Sequence, residues 1–235
     1  MIAVPIMARD EEGLKRALEE AVSSPEGPPD ILEIRLDHLS DPSEADLSGL
    51  VRDCRLPLIF TNRRAEEGGE FTGGDSQRVK ALLHAARALP DWIDIELLTQ
   101  EGVRQELIGE AKGLGIKVIV SWHDFSSTPS VQELEGILEQ MAETGADAAK
   151  IVTMAKRPED FENLVPLFSK ARRLGIGIIS FCMGEAGVYS RACAPFLGSL
   201  LTFAAPDGGP GSAPGQLPFS RLKRIMKELG WRDRR

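Results

Sequence analysis

The sequence predicts an α/β fold, a (β/α)8 barrel formed as a single domain over residues 1–235. Three observations carry that prediction. Apolar, β-rich segments begin near Ile2, Ile31, Pro57, Trp92, Ile116, Asp147, Ile176 and Leu200, so a strand-like run recurs about every 30 residues. Amphipathic stretches at helical spacing lie between these runs. An open doubly wound sheet, the main rival, usually announces a nucleotide by a glycine-rich turn after an early strand, and no early turn here reads G-x-G-x-x-G.

Composition limits what such a barrel does. With 42% hydrophobic and 27% charged residues the chain can fill one large core, and no apolar run approaches the ~20 residues that cross a bilayer. The start, Met1 to Ile6, lacks a basic leader before Asp10-Glu11-Glu12 and reads as a first strand, so a cytoplasmic location is expected. A net charge of −8 argues against nucleic-acid binding, and the locally basic stretch Arg221 to Arg235 reads as the solvated face and tail of a last helix. Cys54, Cys182 and Cys193 form no C-x-x-C pair, which suits reduced thiols and supplies no ligand set for structural zinc.

In a barrel the active site lies at the C-terminal ends of the strands, so polar residues there are the ones to explain. Side chains alternate across a strand. In the second strand Glu33 and Arg35 therefore share the inward face of an otherwise apolar run. The same parity pairs Thr61 with Arg63 after the third strand, Asp94 with Glu96 in the fourth, and Ser121 with His123 in the fifth. His84 belongs to a helix from Gln77 to Ala88, while His38, after the second strand, reads as a loop residue. Val103, Leu107, Ile108, Ala111 and Leu114 give the next helical face; Pro129 and Ser130 with Glu133 start another, carrying Val131, Leu134, Ile137, Leu138 and Met141. Lys150 falls in the sixth strand, within Ala148-Ala149-Lys150-Ile151-Val152. Phe161, Leu164, Val165 and Phe168 form a third helical face, Gly113, Gly115 and Gly175 punctuate returns to strands, and Cys182 ends the seventh strand as a small buried residue at or near the pocket. Arg191 follows. Past the eighth strand, Pro206 to Gly211 has the composition of a lid hinge or of a plain exposed loop.

Lys150 is the sharpest anomaly. An ammonium in a buried strand must be paired or give up its proton, and a neutral buried amine can form an imine with a carbonyl substrate. A nearby imidazole, His123, could carry protons. Ion pairs such as Glu33 with Arg35, or Glu96 with Lys150, could equally be satisfied core charges, and His123 a hydrogen-bonded structural residue. Convergence of charge at successive strand ends favours a pocket for a hydroxylated acid.

With these residues assembled, the chain resembles the type I 3-dehydroquinate dehydratases. The resemblance runs through Glu33-Ile34-Arg35-Leu36-Asp37, Thr61-x-Arg63-x-x-x-Glu67-Gly68-Gly69, Asp94-Ile95-Glu96, Ser121-x-His123-Asp124-Phe125-x-x-Thr128-Pro129, Lys150, Met183-Gly184-x-x-Gly187-x-x-Ser190-Arg191 and Ser212-Ala213-Pro214-Gly215-Gln216. It implies a lyase that converts 3-dehydroquinate to 3-dehydroshikimate and water in the shikimate pathway, with no cofactor or metal, usually as a homodimer. Carried over by position, it implies that Lys150 forms the imine, that His123 moves the proton, and that Glu96 orients His123. It further implies that Arg191 holds the substrate carboxylate, with Ser212 and Gln216 on a closing loop. Glu33, Arg35 and Arg63 would hold ring hydroxyls and order the pocket, and Met183 and Phe203 would pack around the ring. One departure is Ala194-Pro195, where the family commonly has a glycine. A lysine-imine aldolase on the same barrel, or a non-catalytic barrel that binds a hydroxylated acid, are the alternatives.

Overall fold

Each predicted apolar run forms a parallel strand, and alternation along those strands divides side chains between the barrel interior and the surrounding helices. The computed structural model describes residues 1–42 and 45–232. Its strands are β1 (Ile2–Ile6), β2 (Ile31–Arg35), β3 (Leu58–Thr61), β4 (Trp92–Glu96), β5 (Lys117–Asp124), β6 (Ala148–Met154), β7 (Gly177–Met183) and β8 (Thr202–Phe203). They form an 8-stranded sheet in the order β7-β6-β5-β4-β3-β2-β1-β8. Between β7 and β8 the junction is made by the Leu200 amide, which donates to the Ile178 carbonyl at 2.8 Å, rather than by a full ladder. The barrel is thereby nearly closed.

The outer layer is α1 (Glu11–Val22), α2 (Leu47–Asp53), α3 (Asp75–Ala86), α4 (Glu101–Gly113), α5 (Val131–Glu143), α6 (Val165–Leu174), α7 (Val188–Leu197) and α8 (Phe219–Glu228). The expected start of α5 is present as a capping box: the Glu133 amide donates to Ser130 Oγ, and the Ser130 amide donates to Glu133 Oε2 at 2.9 Å. Leu134, Leu138 and Met141 then bury one face against the sheet, each contributing about 1.5–3 kcal/mol of apolar transfer. Two expected faces are cut short. Leu114 lies beyond the end of α4 and is exposed, and Phe161 belongs to a 3-10 segment, Pro158–Asn163, that precedes α6 and leaves Val165 in solvent. Gly175 ends α6 with φ of 72°, a left-handed turn that favours glycine. Helix α7 runs through Ala194 and Pro195 without interruption.

No helix among the described residues is long and apolar enough to cross a membrane. The end of the basic C-terminal stretch, residues 233–235, lies outside the described residues.

Candidate active site

The C-terminal mouth of the barrel holds a pocket. Glu33 and Arg35 reach it from β2, His123 from β5, Lys150 from β6, Met183 from β7 and Phe203 from β8. Arg63 and Glu67 enter from the segment after β3, Arg191 from α7, and Ser212 and Gln216 from the loop before α8. Of the residues expected at the site, Glu96 and Cys182 do not line it.

Lys150 is paired. Its Nζ stands 3.1 Å from Asp94 Oδ2 and 3.4 Å from Glu33 Oε1, and lies 4.3 Å from the centre of the Phe203 ring. The two carboxylates differ in what else holds them. Asp94 also accepts from Ser121 Oγ at 2.5 Å and faces Arg63 Nη2 at 2.8 Å, whereas Glu33, among the described residues, accepts from the Thr61 hydroxyl at 3.0 Å besides Lys150. Burial pushes the Asp94 carboxyl up, but Arg63, Lys150 and the Ser121 hydroxyl together hold it well below the usual carboxylate range. Asp94 is therefore a fixed counter-charge.

The acidic partner of His123 is Glu67. Its Oε2 lies 2.9 Å from His123 Nδ1 and accepts the His123 backbone N–H at 3.1 Å. This corrects the expectation for Glu96, which meets Arg78 reaching in from α3, accepts the Arg64 amide at 3.1 Å and faces Arg63 Nη1 at 3.4 Å. Strand parity rightly turns Glu96 inward, yet at the strand's last residue a buried guanidinium from α3 captures the carboxylate before it can reach β5. Glu67 is delivered by a tight turn. Gly68 has φ of 78°, and a Cβ on Gly69 would lie 2.0 Å from the Arg63 carbonyl oxygen, so only this glycine pair lets the turn fold the carboxylate under His123. The signal was present in Glu67-Gly68-Gly69.

Burial, with the Arg63 and Lys150 charges, holds the His123 imidazole well below its ordinary range. Glu67 moves the other way. Burial and the nearby Glu96 and Asp94 charges, opposed by Arg63 and Arg64, push its carboxyl up to about 7. The imidazole is thus neutral at neutral pH and sits beside a carboxyl poised to hold or accept a proton.

Arg191 is fully buried and stacked 4.6 Å from the Phe181 ring. It donates to the carbonyl oxygens of Phe203 at 3.4 Å and Pro214 at 3.2 Å, and its Nε has no partner. No acidic side chain among the described residues pairs with it, and burial pushes the guanidinium down to about 10. An anion is the partner it lacks.

Ser212 and Gln216 bond to each other: the Ser212 amide donates to Gln216 Oε1 at 2.7 Å, and Gln216 Nε2 to Ser212 Oγ at 3.2 Å. Their loop is docked on the barrel, because the Gly184 amide donates to the Pro214 carbonyl at 3.2 Å. Within Pro206 to Gly211, Asp207 is tied to Ser24 Oγ at 2.7 Å and to the Ser220 amide at 2.9 Å. Cys182 is buried, faces Thr153 Oγ1 at 3.6 Å and does not line the pocket. Asp37 escaped the sequence reading as a site residue, although it accepts Arg35 Nε at 2.9 Å, Arg35 Nη2 at 2.6 Å and the Arg63 amide at 3.1 Å.

An amine, a neutral imidazole and a guanidinium with no carboxylate partner among the described residues, all facing one pocket, make this a (β/α)8-barrel enzyme for a small acidic substrate. The family model described as type I 3-dehydroquinase matches residues 2–232, and the chain belongs to that family. It is 37% identical over 222 residues to the 3-dehydroquinate dehydratase of Methanosarcina barkeri, covering 92% of this chain and 92% of that one. Among solved structures, the 3-dehydroquinate dehydratase of Geobacillus kaustophilus superposes with a TM-score of 0.89 at 30% identity, covering 99% of this chain and 92% of that chain. The type I 3-dehydroquinate dehydratase of Clostridium difficile, solved with covalently modified comenic acid, gives 0.84 at 30% identity, covering 97% and 91%.

Proposed function

We propose that this chain removes water from 3-dehydroquinate through an imine on Lys150, giving 3-dehydroshikimate for the shikimate pathway. Lys150 Nζ attacks the ketone carbon, and loss of the former carbonyl oxygen as water leaves a protonated imine. His123, neutral and with its Nδ1 side against Glu67, takes the C2 proton on Nε2. The electron pair left behind delocalises into the imine nitrogen, which accepts it far better than a neutral carbonyl does. His123 then returns its proton to the departing C1 hydroxyl, which leaves as water, and hydrolysis of the product imine frees Lys150. One histidine can do both if proton and hydroxyl leave from the same face of the ring.

The observation that carries this reading is the amine itself: Lys150 Nζ, held between Asp94 and Glu33, lines the same pocket as His123. Asp94 fixes it electrostatically, while Glu33, less encumbered, stands beside the atom that must shed a proton to attack. Arg191 supplies the docking point for the substrate carboxylate, and the docked Ser212 to Gln216 loop excludes water.

The test is incubation with 3-dehydroquinate and borohydride, followed by mass spectrometry of the peptide that contains Lys150. A reduced adduct is expected on that residue. Continued product formation with no adduct there would overturn the imine.

Arg191→Lys should raise KM by about 10- to 100-fold, because an ammonium keeps the charge but loses the planar two-donor grip and the stacking on Phe181. Steady-state kinetics measure this. An unchanged KM would remove Arg191 from carboxylate recognition.

A further inference from the structure

Glu96 is fully buried in the second layer behind the pocket, and its contacts all serve other functional groups. Arg78, itself 1% exposed, spans from α3 to grip the Glu96 carboxylate, the Thr99 hydroxyl, the Asn62 carbonyl at 3.2 Å and Asp75 at 3.3 Å. It therefore ties the segment after β3 to the segment after β4. From that anchor Glu96 accepts the Arg64 amide at 3.1 Å and faces Arg63 Nη1 at 3.4 Å. Arg63 is the hub of the interior charges: its other terminal nitrogen faces Asp94 at 2.8 Å, and it donates to Ser121 Oγ at 2.6 Å.

We infer that Glu96, gripped from behind by Arg78, is a positioning residue that sets Arg63 and the turn bearing Glu67, and that places its carboxylate behind the Glu67–His123 pair. The inference rests on the assignment of that pair to proton transfer. Its geometric basis is that the Arg64 amide bonded to Glu96 begins the turn that ends at Gly68 and Gly69, with Glu67 inside it. A shift of that amide moves both Arg63 and Glu67. Its electrostatic basis is the company around Glu67: His123 from β5, Asp94 and Glu96 from β4, and Arg63 and Arg64 from the end of β3, with Glu33 of β2 and Lys150 of β6 beyond them. Within that set the Glu96 charge raises the proton affinity of Glu67, and the Arg63 and Arg64 charges lower it.

Removing the Glu96 charge makes Glu67 ionise at lower pH, and leaves Arg63 less neutralised, which depresses proton affinity at both Glu67 and His123. The competent form, with Glu67 ionised and His123 neutral, then persists to lower pH. For Glu96→Gln the acid limb of kcat/KM should move down by about one pH unit, with a 10- to 100-fold fall on the plateau from misplacement of Arg63 and Glu67. Glu96→Asp keeps the charge and should leave the limb in place while lowering the plateau.

Because a lone buried Arg78 could prevent folding, an Arg78→Gln/Glu96→Gln double variant, with an amide pair in the same space, is measured alongside. Near-UV circular dichroism reports folding. A folded Gln variant whose limb stays at the wild-type pH would overturn the inference, as would failure of both the single and the double variant to fold, since the pair would then only brace the barrel. Glu67→Gln separates the two readings: if the acid limb survives it, the Glu67–His123 assignment fails, independently of Glu96.

Discussion

Lys150→Met should abolish turnover, lowering kcat by at least about 10⁴-fold, and should leave no borohydride-trapped adduct anywhere on the chain. Methionine approximates the volume and length of lysine, so the interior of β6 stays filled and only the amine is lost. The expected size of the effect comes from the step removed: without the imine, charge at C2 has a neutral ketone as its only acceptor. Removing one partner of a buried ion pair ordinarily costs about 3–5 kcal/mol, because the other charge is stranded. Here the stranding is partial. Asp94 keeps Arg63 at 2.8 Å and Ser121 at 2.5 Å, and Glu33 keeps Thr61 at 3.0 Å, so a folded variant is expected. Circular dichroism and product formation measure the two halves of the prediction. A folded Lys150→Met protein with more than about 1% of wild-type kcat would eliminate Lys150 as the nucleophile.

Much of this barrel is legible because its two periodicities are both written locally. Period-two alternation places Glu33, Asp94, Ser121, His123 and Lys150 on the inward face, and the repeat of about 30 residues fixes the strand order. Each strand needs only its own residues to declare its face. What resists reading is the choice of partner among inward charges, which depends on separations across the barrel. Glu96 and Glu67 are both acidic, both near His123 in the fold and both inside a motif block. Only the position of Arg78, an apparently ordinary helical arginine on α3, decides that Glu96 is captured and Glu67 is free to meet His123. Asp207 was hidden for a similar reason: within a glycine-rich segment it reads as part of a hinge, until Ser24, brought close by the closure of the barrel, fixes it in place.

His123→Ala should lower kcat by about 10²- to 10⁴-fold while imine formation survives. The distinction can be read from mass. In the wild type the trapped peptide should include the adduct that has already lost water across C1 and C2, whereas in the variant the adduct should retain that water. A folded variant that traps nothing would show that His123 is needed before elimination, and one that traps the dehydrated adduct at the wild-type rate would remove His123 from the proton transfer. The environment explains why a large effect is expected from one imidazole. Burial and the charges of Arg63 and Lys150 keep the ring neutral, which leaves Nε2 available as a base but makes the imidazolium it must become costly. In the proposed mechanism the imine would keep a positive charge at the Lys150 nitrogen, so that cost would persist during the step. Glu67, 2.9 Å from Nδ1, is placed to offset it as the charge develops, and a carboxyl pushed up to about 7 can accept the Nδ1 proton rather than merely attract it. Base strength in this site therefore belongs to the pair, and deleting the ring removes the imidazole through which the proton affinity of Glu67 is passed to the substrate in the proposed step.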